Sequence, residues 1–199
     1  MYWLLLIIDN GSVYTKNLID LLNSKKILFE KQTPELLDLQ SLNNYNSFIL
    51  SGRRKNEKKI NEINSKIINY AIQNDKKLLG ICYGAEILAL TLGGTIRKLT
   101  LPQKGIEKIN IQRENHLYND NLQVFESHGF EISKLPDILI TIGESQNCKF
   151  EIIQYYGKPI FGTQFHPEMS DDGKNLIQKF CSLWLILITL KLSSISWIP

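Results

Sequence analysis

The sequence has few cysteines, no internal repeat and little net charge, and each shortage removes a class of protein. Its three cysteines, Cys82, Cys148 and Cys181, are odd in number and share no paired spacing. That excludes a disulfide framework and a cysteine-bound zinc site, and it fits a reducing, cytoplasmic compartment. A formal charge of +3 over 199 residues is too small to signal a nucleic-acid partner. The apolar N-terminal run has no basic segment before it and turns polar at Asp9. It therefore reads as a first buried strand and not as a signal peptide. At the other end, the apolar tail from Leu183 is broken by Lys191, short of the roughly 20 residues that cross a bilayer. The expectation is no membrane span, but a last helix extended along the domain or a partner.

What is present is an ordinary globular composition, 43% hydrophobic and 22% charged, enough for one domain with a substantial core. Residues 1–183 read as that domain and 184–199 as an apolar extension. Apolar runs at Trp3–Ile8, Lys26–Glu30, Ser47–Leu50 and Lys77–Ile81 read as strands. Between them lie helical patterns at Val13–Leu22, with Ser12 or Asn10 as cap, and at Asn56–Asn74, where Ile60, Ile63, Ile67, Ile68 and Ala71 form one stripe. This order predicts an α/β fold, a doubly wound and mostly parallel open sheet with helices on both faces. After Gly93-Gly94 the texture changes to strand-like runs at Ile106–Ile111, Leu122–Glu126, Ile138–Ile142, Phe150–Tyr155 and Pro159–Gln164. These add antiparallel strands, with Tyr156-Gly157-Lys158 as a hairpin turn.

The chain is organised around Lys77 to Leu92. A short apolar run leads to Cys82, flanked by Gly80 and Gly84, and a helical pattern follows. Strand, sharp turn bearing a nucleophile, then helix is a nucleophile elbow, whose tight turn needs small residues two places either side. The helix N-terminus is expected to favour thiolate at Cys82. A second chemical segment, Gly162 to Met169, also follows an apolar run. Pro167 biases His166 toward extended geometry, which would put His166 and Glu168 on one side of the chain. Nucleophile, base and orienting carboxylate complete a triad.

With these residues the sequence resembles the class I (triad) glutamine amidotransferases. The likeness rests on Gly80-Ile81-Cys82-Tyr83-Gly84, Phe165-His166-Pro167-Glu168 and the strand end Ile49-Leu50-Ser51-Gly52, and it runs from about Trp3 to Phe180. Within the class, Leu92-Gly93-Gly94, Glu126-Ser127-His128-Gly129, Lys134-Leu135-Pro136 and Ser145-Gln146-Asn147-Cys148 are most similar to the stand-alone glutaminase subunit of GMP synthetase. The resemblance implies hydrolysis of glutamine through Cys82, His166 and Glu168. Backbone N–H groups of Tyr83 and the Gly52-Arg53 turn would hold the oxyanion. Ser127 and His128 match a family segment and, with Glu86, would lie on the substrate side. Ammonia would pass to an ATP-pyrophosphatase synthetase subunit carrying ATP and Mg2+, and the glutaminase half needs no cofactor. A glutaminase of anthranilate or aminodeoxychorismate synthesis, a catalytically weakened regulatory subunit, and a partner-free hydrolase of γ-glutamyl compounds share the same residues.

Three positions depart from the family pattern. Ala85 and Glu86 stand where His or Met and then Gln are usual, and Ser51-Gly52-Arg53-Arg54 replaces Ser-Gly-Gly-Pro. If the Arg53 position needs positive φ, a non-glycine residue adds strain there. The segment Ser-His-x-Asp reads Ser127-His128-Gly129-Phe130, with Glu131 one place late. The run Arg53 to Lys59 holds five basic residues in seven, which reads first as a solvated loop and helix start.

Overall fold

The computed structural model describes residues 4–53, 57–118 and 120–195, with side chains as far as residue 183. Nine strands form one sheet in the order β2-β1-β3-β4-β9-β8-β7-β5-β6. The first half supplies β1 (Leu5–Ile8), α1 (Thr15–Ser24), β2 (Phe29–Gln32), β3 (Ser47–Leu50), α2 (Lys58–Gln73), β4 (Lys77–Ile81) and α3 (Tyr83–Thr91). Its strands pair in parallel. The second half supplies β5 (Thr95–Ile111), β6 (Leu122–Lys134), β7 (Leu139–Glu144), β8 (Ile152–Tyr155), β9 (Ile160–Thr163) and α4 (Asp171–Ile195). Those strands pair antiparallel, except that β9 returns to lie parallel to β4. The chain is thus an α/β fold of the expected mixed kind.

Both faces of the parallel half are covered, which is why its strands read as unbroken apolar runs. In β1, Leu5 and Ile7 face a core shared with Leu18 and Leu22 of α1 and Leu176, Ile177 and Phe180 of α4. Leu6 and Ile8 face the opposite core, with Ile60, Ile67 and Ile68 of α2 and Ile87 and Leu88 of α3.

Several boundaries differ from expectation. The second strand begins at Phe29, not Lys26, because the N–H groups of Lys25, Lys26 and Ile27 donate back to the last turn of α1 and Lys26 takes φ 54°. The first helix is capped at Tyr14 without a side-chain bond. Ser12 acts earlier in the chain, its Oγ accepting from the Tyr14 N–H at 3.1 Å. β5 is 17 residues long and starts at Thr95. Its first part is a ribbon exposed or half-exposed throughout, so it carries no alternation to read. The last helix runs to Ile195, and among the described residues no helix is long and apolar enough to cross a membrane. Trp3, residues 54–56 of the basic run, and the tail side chains lie outside the described residues. Of the remaining basic residues of that run, Lys58 and Lys59 are exposed and Arg53 is half-buried.

One buried cation ties the two ends of the fold together. Lys77, 2% exposed at the start of β4, donates through Nζ to the carbonyls of Phe180 and Cys181 at 3.0 Å each. Burial lowers its pKa from 10.5 to about 8. An ammonium with a depressed folded pKa binds fewer protons folded than unfolded, so stability rises with pH between the two values. Measured against Lys77→Met by urea denaturation, the wild-type chain should gain about 3 kcal/mol in relative stability as pH rises from about 8 to 10.5. A difference that stays flat across that range would mean that burial does not depress the Lys77 pKa.

Candidate active site

Cys82 follows the last residue of β4 and precedes the first residue of α3. Its φ of 51° and ψ of −104° lie in a region that costs a non-glycine residue about 1–3 kcal/mol. The turn is held on both sides. The Cys82 N–H donates to the Thr163 carbonyl of β9 at 2.7 Å, and the Cys82 carbonyl accepts from Ala85 and Glu86 at 2.9 and 3.0 Å. Gly80 and Gly84 are required by contact: a Cβ on Gly80 would lie 2.4 Å from the Gly84 carbonyl, and one on Gly84 would lie 2.4 Å from the Leu50 carbonyl.

β9 places the second group. Because β4 and β9 are parallel neighbours with Ile81 opposite Thr163, the residues after each emerge at the same sheet edge. His166 follows β9 and is 3% exposed. Its N–H donates to the Phe125 carbonyl at 2.9 Å, and its ring meets the Tyr14 ring edge-on at 4.5 Å. Nδ1 lies 2.9 Å from Glu168 Oε1. A carboxylate can only accept, so Nδ1 carries the hydrogen and Nε2 keeps the lone pair a base needs. The route to this pairing differs from the expected one. Pro167–Met169 form a 3-10 turn, and the turn, not an extended strand, folds Glu168 back beneath the imidazole.

The resting thiol is also unlike the expectation of a helix-favoured thiolate. Burial, then the charge of Glu86, push the Cys82 thiol well up; the Tyr83 backbone N–H pulls it down, and Glu126 and Glu168 add to the rise. The thiol therefore rests protonated, and a base must take its proton as it attacks.

The loop after β3 completes the rim. Gly52 packs so closely on the base that an added Cβ would sit 2.9 Å from His166 Cε1. Arg53 is not among the positive-φ residues of the described chain, so the strain foreseen there does not arise. The loop is fixed by buried amides. The Asn10 N–H donates to Ser51 Oγ at 2.9 Å, Asn10 Nδ2 donates to the Ser51 carbonyl at 3.0 Å, and Asn64 Nδ2 donates to Asn10 Oδ1 at 2.8 Å.

The substrate-side residues of the sequence reading fall in different surroundings. Glu86 is 4% exposed, 4.0 Å from Arg53, and accepts from Gln164 Nε2 at 3.4 Å. Burial raises its pKa against the pull of Gln164 and Arg53. Ser127 Oγ accepts from the Tyr14 hydroxyl at 3.1 Å. His128 donates from Nδ1 to the Phe130 carbonyl at 2.7 Å, while Nε2 lies 3.0 Å from Glu126. Burial alone would push the His128 pKa down; Glu126 and the Phe130 carbonyl outweigh it, and the direction is up. Glu131 turns away to pair with Arg97 at 2.6 Å. Cys148 is buried and Cys181 half-buried, and both are free thiols. His116 is exposed.

Asn10, Tyr14, Asn64 and Gln164 were not singled out for this site by sequence. Asn64 alone carried a signal, as a polar residue four places from Ile60 on a buried helical stripe.

Comparison with known proteins identifies the family. A family model described as glutamine amidotransferase class-I matches residues 6–182. One subunit of the glutamine-hydrolysing GMP synthase of Methanocaldococcus jannaschii is 29% identical, over 90% of this chain and 97% of its own. The glutamine-hydrolysing GMP synthase of Edwardsiella ictaluri is 26% identical over 88% of this chain and 36% of its own. A solved Thermoplasma acidophilum protein, provisionally assigned as the same GMP synthase subunit, superposes with a TM-score of 0.83 at 23% identity, covering 96% of this chain and 98% of that one. With the elbow at Cys82 and the His166–Glu168 pair at the edge of one sheet, this chain belongs to the class-I glutamine amidotransferase family.

Proposed function

We propose that the chain is the glutaminase subunit of a two-subunit GMP synthetase. The observation that carries the chemical part is the 2.9 Å contact of His166 Nδ1 with Glu168, in the turn after β9, the strand beside the one that leads into a strained Cys82. His166 Nε2 takes the proton of the Cys82 thiol as sulfur attacks the side-chain carboxamide carbon of glutamine. The C–N bond breaks, and His166 returns the proton to the departing ammonia. A water, deprotonated by the same nitrogen, then cleaves the γ-glutamyl thioester to glutamate and restores the thiol. The developing oxyanion is assigned to the N–H groups of Tyr83 and of the Gly52-Arg53 turn. This sequence uses only proton and acyl transfer, so the chain's own half calls on no cofactor.

The assignment of the acceptor rests on likeness to the Methanocaldococcus jannaschii GMP synthase subunit. The ATP-pyrophosphatase portion, with its ATP and Mg2+, is assigned to a partner that would aminate xanthosine monophosphate in the cytoplasm. Glutamate release from glutamine by the purified chain tests both parts, alone and with that partner, ATP, Mg2+ and xanthosine monophosphate. We expect the complete mixture to raise release at least about tenfold. Stimulation only by an anthranilate or aminodeoxychorismate synthase partner would move the chain to that pathway. No glutamate under any condition, while the partner still binds, would make it a regulatory component of the same fold.

A further inference from the structure

The two departures from the family pattern at the site, Arg53 and Glu86, meet each other. Glu86 stands one helical turn beyond Cys82, its N–H donating to the Cys82 carbonyl at 3.0 Å. It places a 4% exposed carboxyl beside a sulfur that must become negative. Among the described residues, the other titratable groups facing the site come from three elements: His128 and Glu126 from β6, His166 and Glu168 from the turn after β9, and Arg53 from the loop after β3. Of these, Arg53 is the permanent cation. Its guanidinium is held from several sides: stacked 4.2 Å from the Tyr83 ring centroid, donating from Nη1 to Asn61 Oδ1 at 3.2 Å, and 4.0 Å from Glu86. The Tyr83 hydroxyl donates to the same Asn61 oxygen at 2.7 Å. α2 and α3 together thus fix the cation over the residue that follows the nucleophile.

We infer that Arg53 is an electrostatic positioning residue, whose guanidinium neutralises Glu86 so that Cys82 can ionise during attack. The pair is one functional unit, in which Arg53 offsets the charge that Glu86 brings to the site. Arg53 without Glu86 leaves the thiol easier to ionise; Glu86 without Arg53 sets an uncompensated carboxylate against the forming thiolate. This rests on Cys82 being the nucleophile, but not on glutamine being its substrate.

The test is therefore a thiol reaction, not turnover. Alkylation of Cys82 by iodoacetamide is followed in the full chain without substrate, with Cys82→Ala giving the background from Cys148 and Cys181. The rates are compared at one pH for all variants, on the alkaline side of neutral. Arg53→Met, which keeps the stacking length but not the charge, should react about tenfold more slowly than wild type. Arg53→Lys should stay close to wild type. Glu86→Gln should react faster than wild type, and Arg53→Met/Glu86→Gln should return to within about twofold of it. A double variant as slow as Arg53→Met, or an Arg53→Met chain as reactive as wild type, would overturn the proposal. If Arg53→Met does not fold, Glu86→Gln decides alone: faster alkylation supports the pair, and unchanged or slower alkylation overturns it. A raised KM for glutamine in Glu86→Gln with unaltered alkylation would assign Glu86 to the substrate ammonium instead. Loss of the glutaminase reading would show separately, as absent glutamate release from a chain whose thiol still behaves as described.

Discussion

Cys82→Ala and His166→Ala should each lower glutamine turnover by about 10⁴-fold or more, and the double substitution should lose little beyond either single one. The reason is mutual dependence. Burial and the neighbouring carboxylates hold the thiol in its protonated form, so without His166 there is no group to take its proton, and without sulfur there is nothing for His166 to activate. Glu168→Gln should cost on the order of 10⁴-fold. It replaces the carboxylate that fixes Nδ1–H at 2.9 Å with an amide that can donate to Nδ1 and hold the wrong tautomer, but leaves the imidazole wedged between Tyr14 and the Gly52 loop. Steady-state rates of glutamate release, measured with the chain confirmed as folded, check the series. Near-additive losses in Cys82→Ala/His166→Ala would mean that the two groups act in separate steps, and the triad would have to be abandoned.

Gly80→Ala should be the most destabilising single methyl in the chain's first half. The added carbon would lie 2.4 Å from both the carbonyl carbon and oxygen of Gly84 and 2.7 Å from the Ala85 nitrogen. These are backbone atoms of a helix anchored through the Cys82 carbonyl, and they cannot swing aside as a side chain would. Strand β4 is fixed between β3 and β9, so relief has to come from parting β4 and α3. A loss of about 4 kcal/mol or more, or failure to recover folded protein, is expected. Gly129→Ala, where nothing lies within 4 Å of the added carbon, should stay within about 0.5 kcal/mol of wild type. Urea unfolding of the pair checks it; equal midpoints would mean that the elbow is looser than these contacts require.

The legible part of this protein is the part where one physical cause dominates. Strands β1, β3 and β4 announce themselves because both faces are buried, and the elbow does so because its glycines answer a steric need. The His166–Glu168 pairing is legible from spacing, although the turn that makes it is not. The part of β5 before Ile106 is hidden because an exposed ribbon is specified by its partner strand and not by its own alternation. The amide brace of Asn10, Ser51 and Asn64 is hidden for another reason. The brace consists of hydrogen bonds between segments distant in sequence, and no local pattern encodes them.

The position of β9 bears on when this protein can first do chemistry. Cys82 is made early in synthesis, on the strand that finishes the parallel half. Its base arrives only with β9, which inserts between β4 and β8 after the whole antiparallel excursion has been laid down. A nascent chain emerging in order therefore carries an inert thiol through the second half of its translation. The last sheet pairing to form, a long-range contact of the slow kind, both closes the fold and switches on the site, so an incompletely made chain cannot consume substrate.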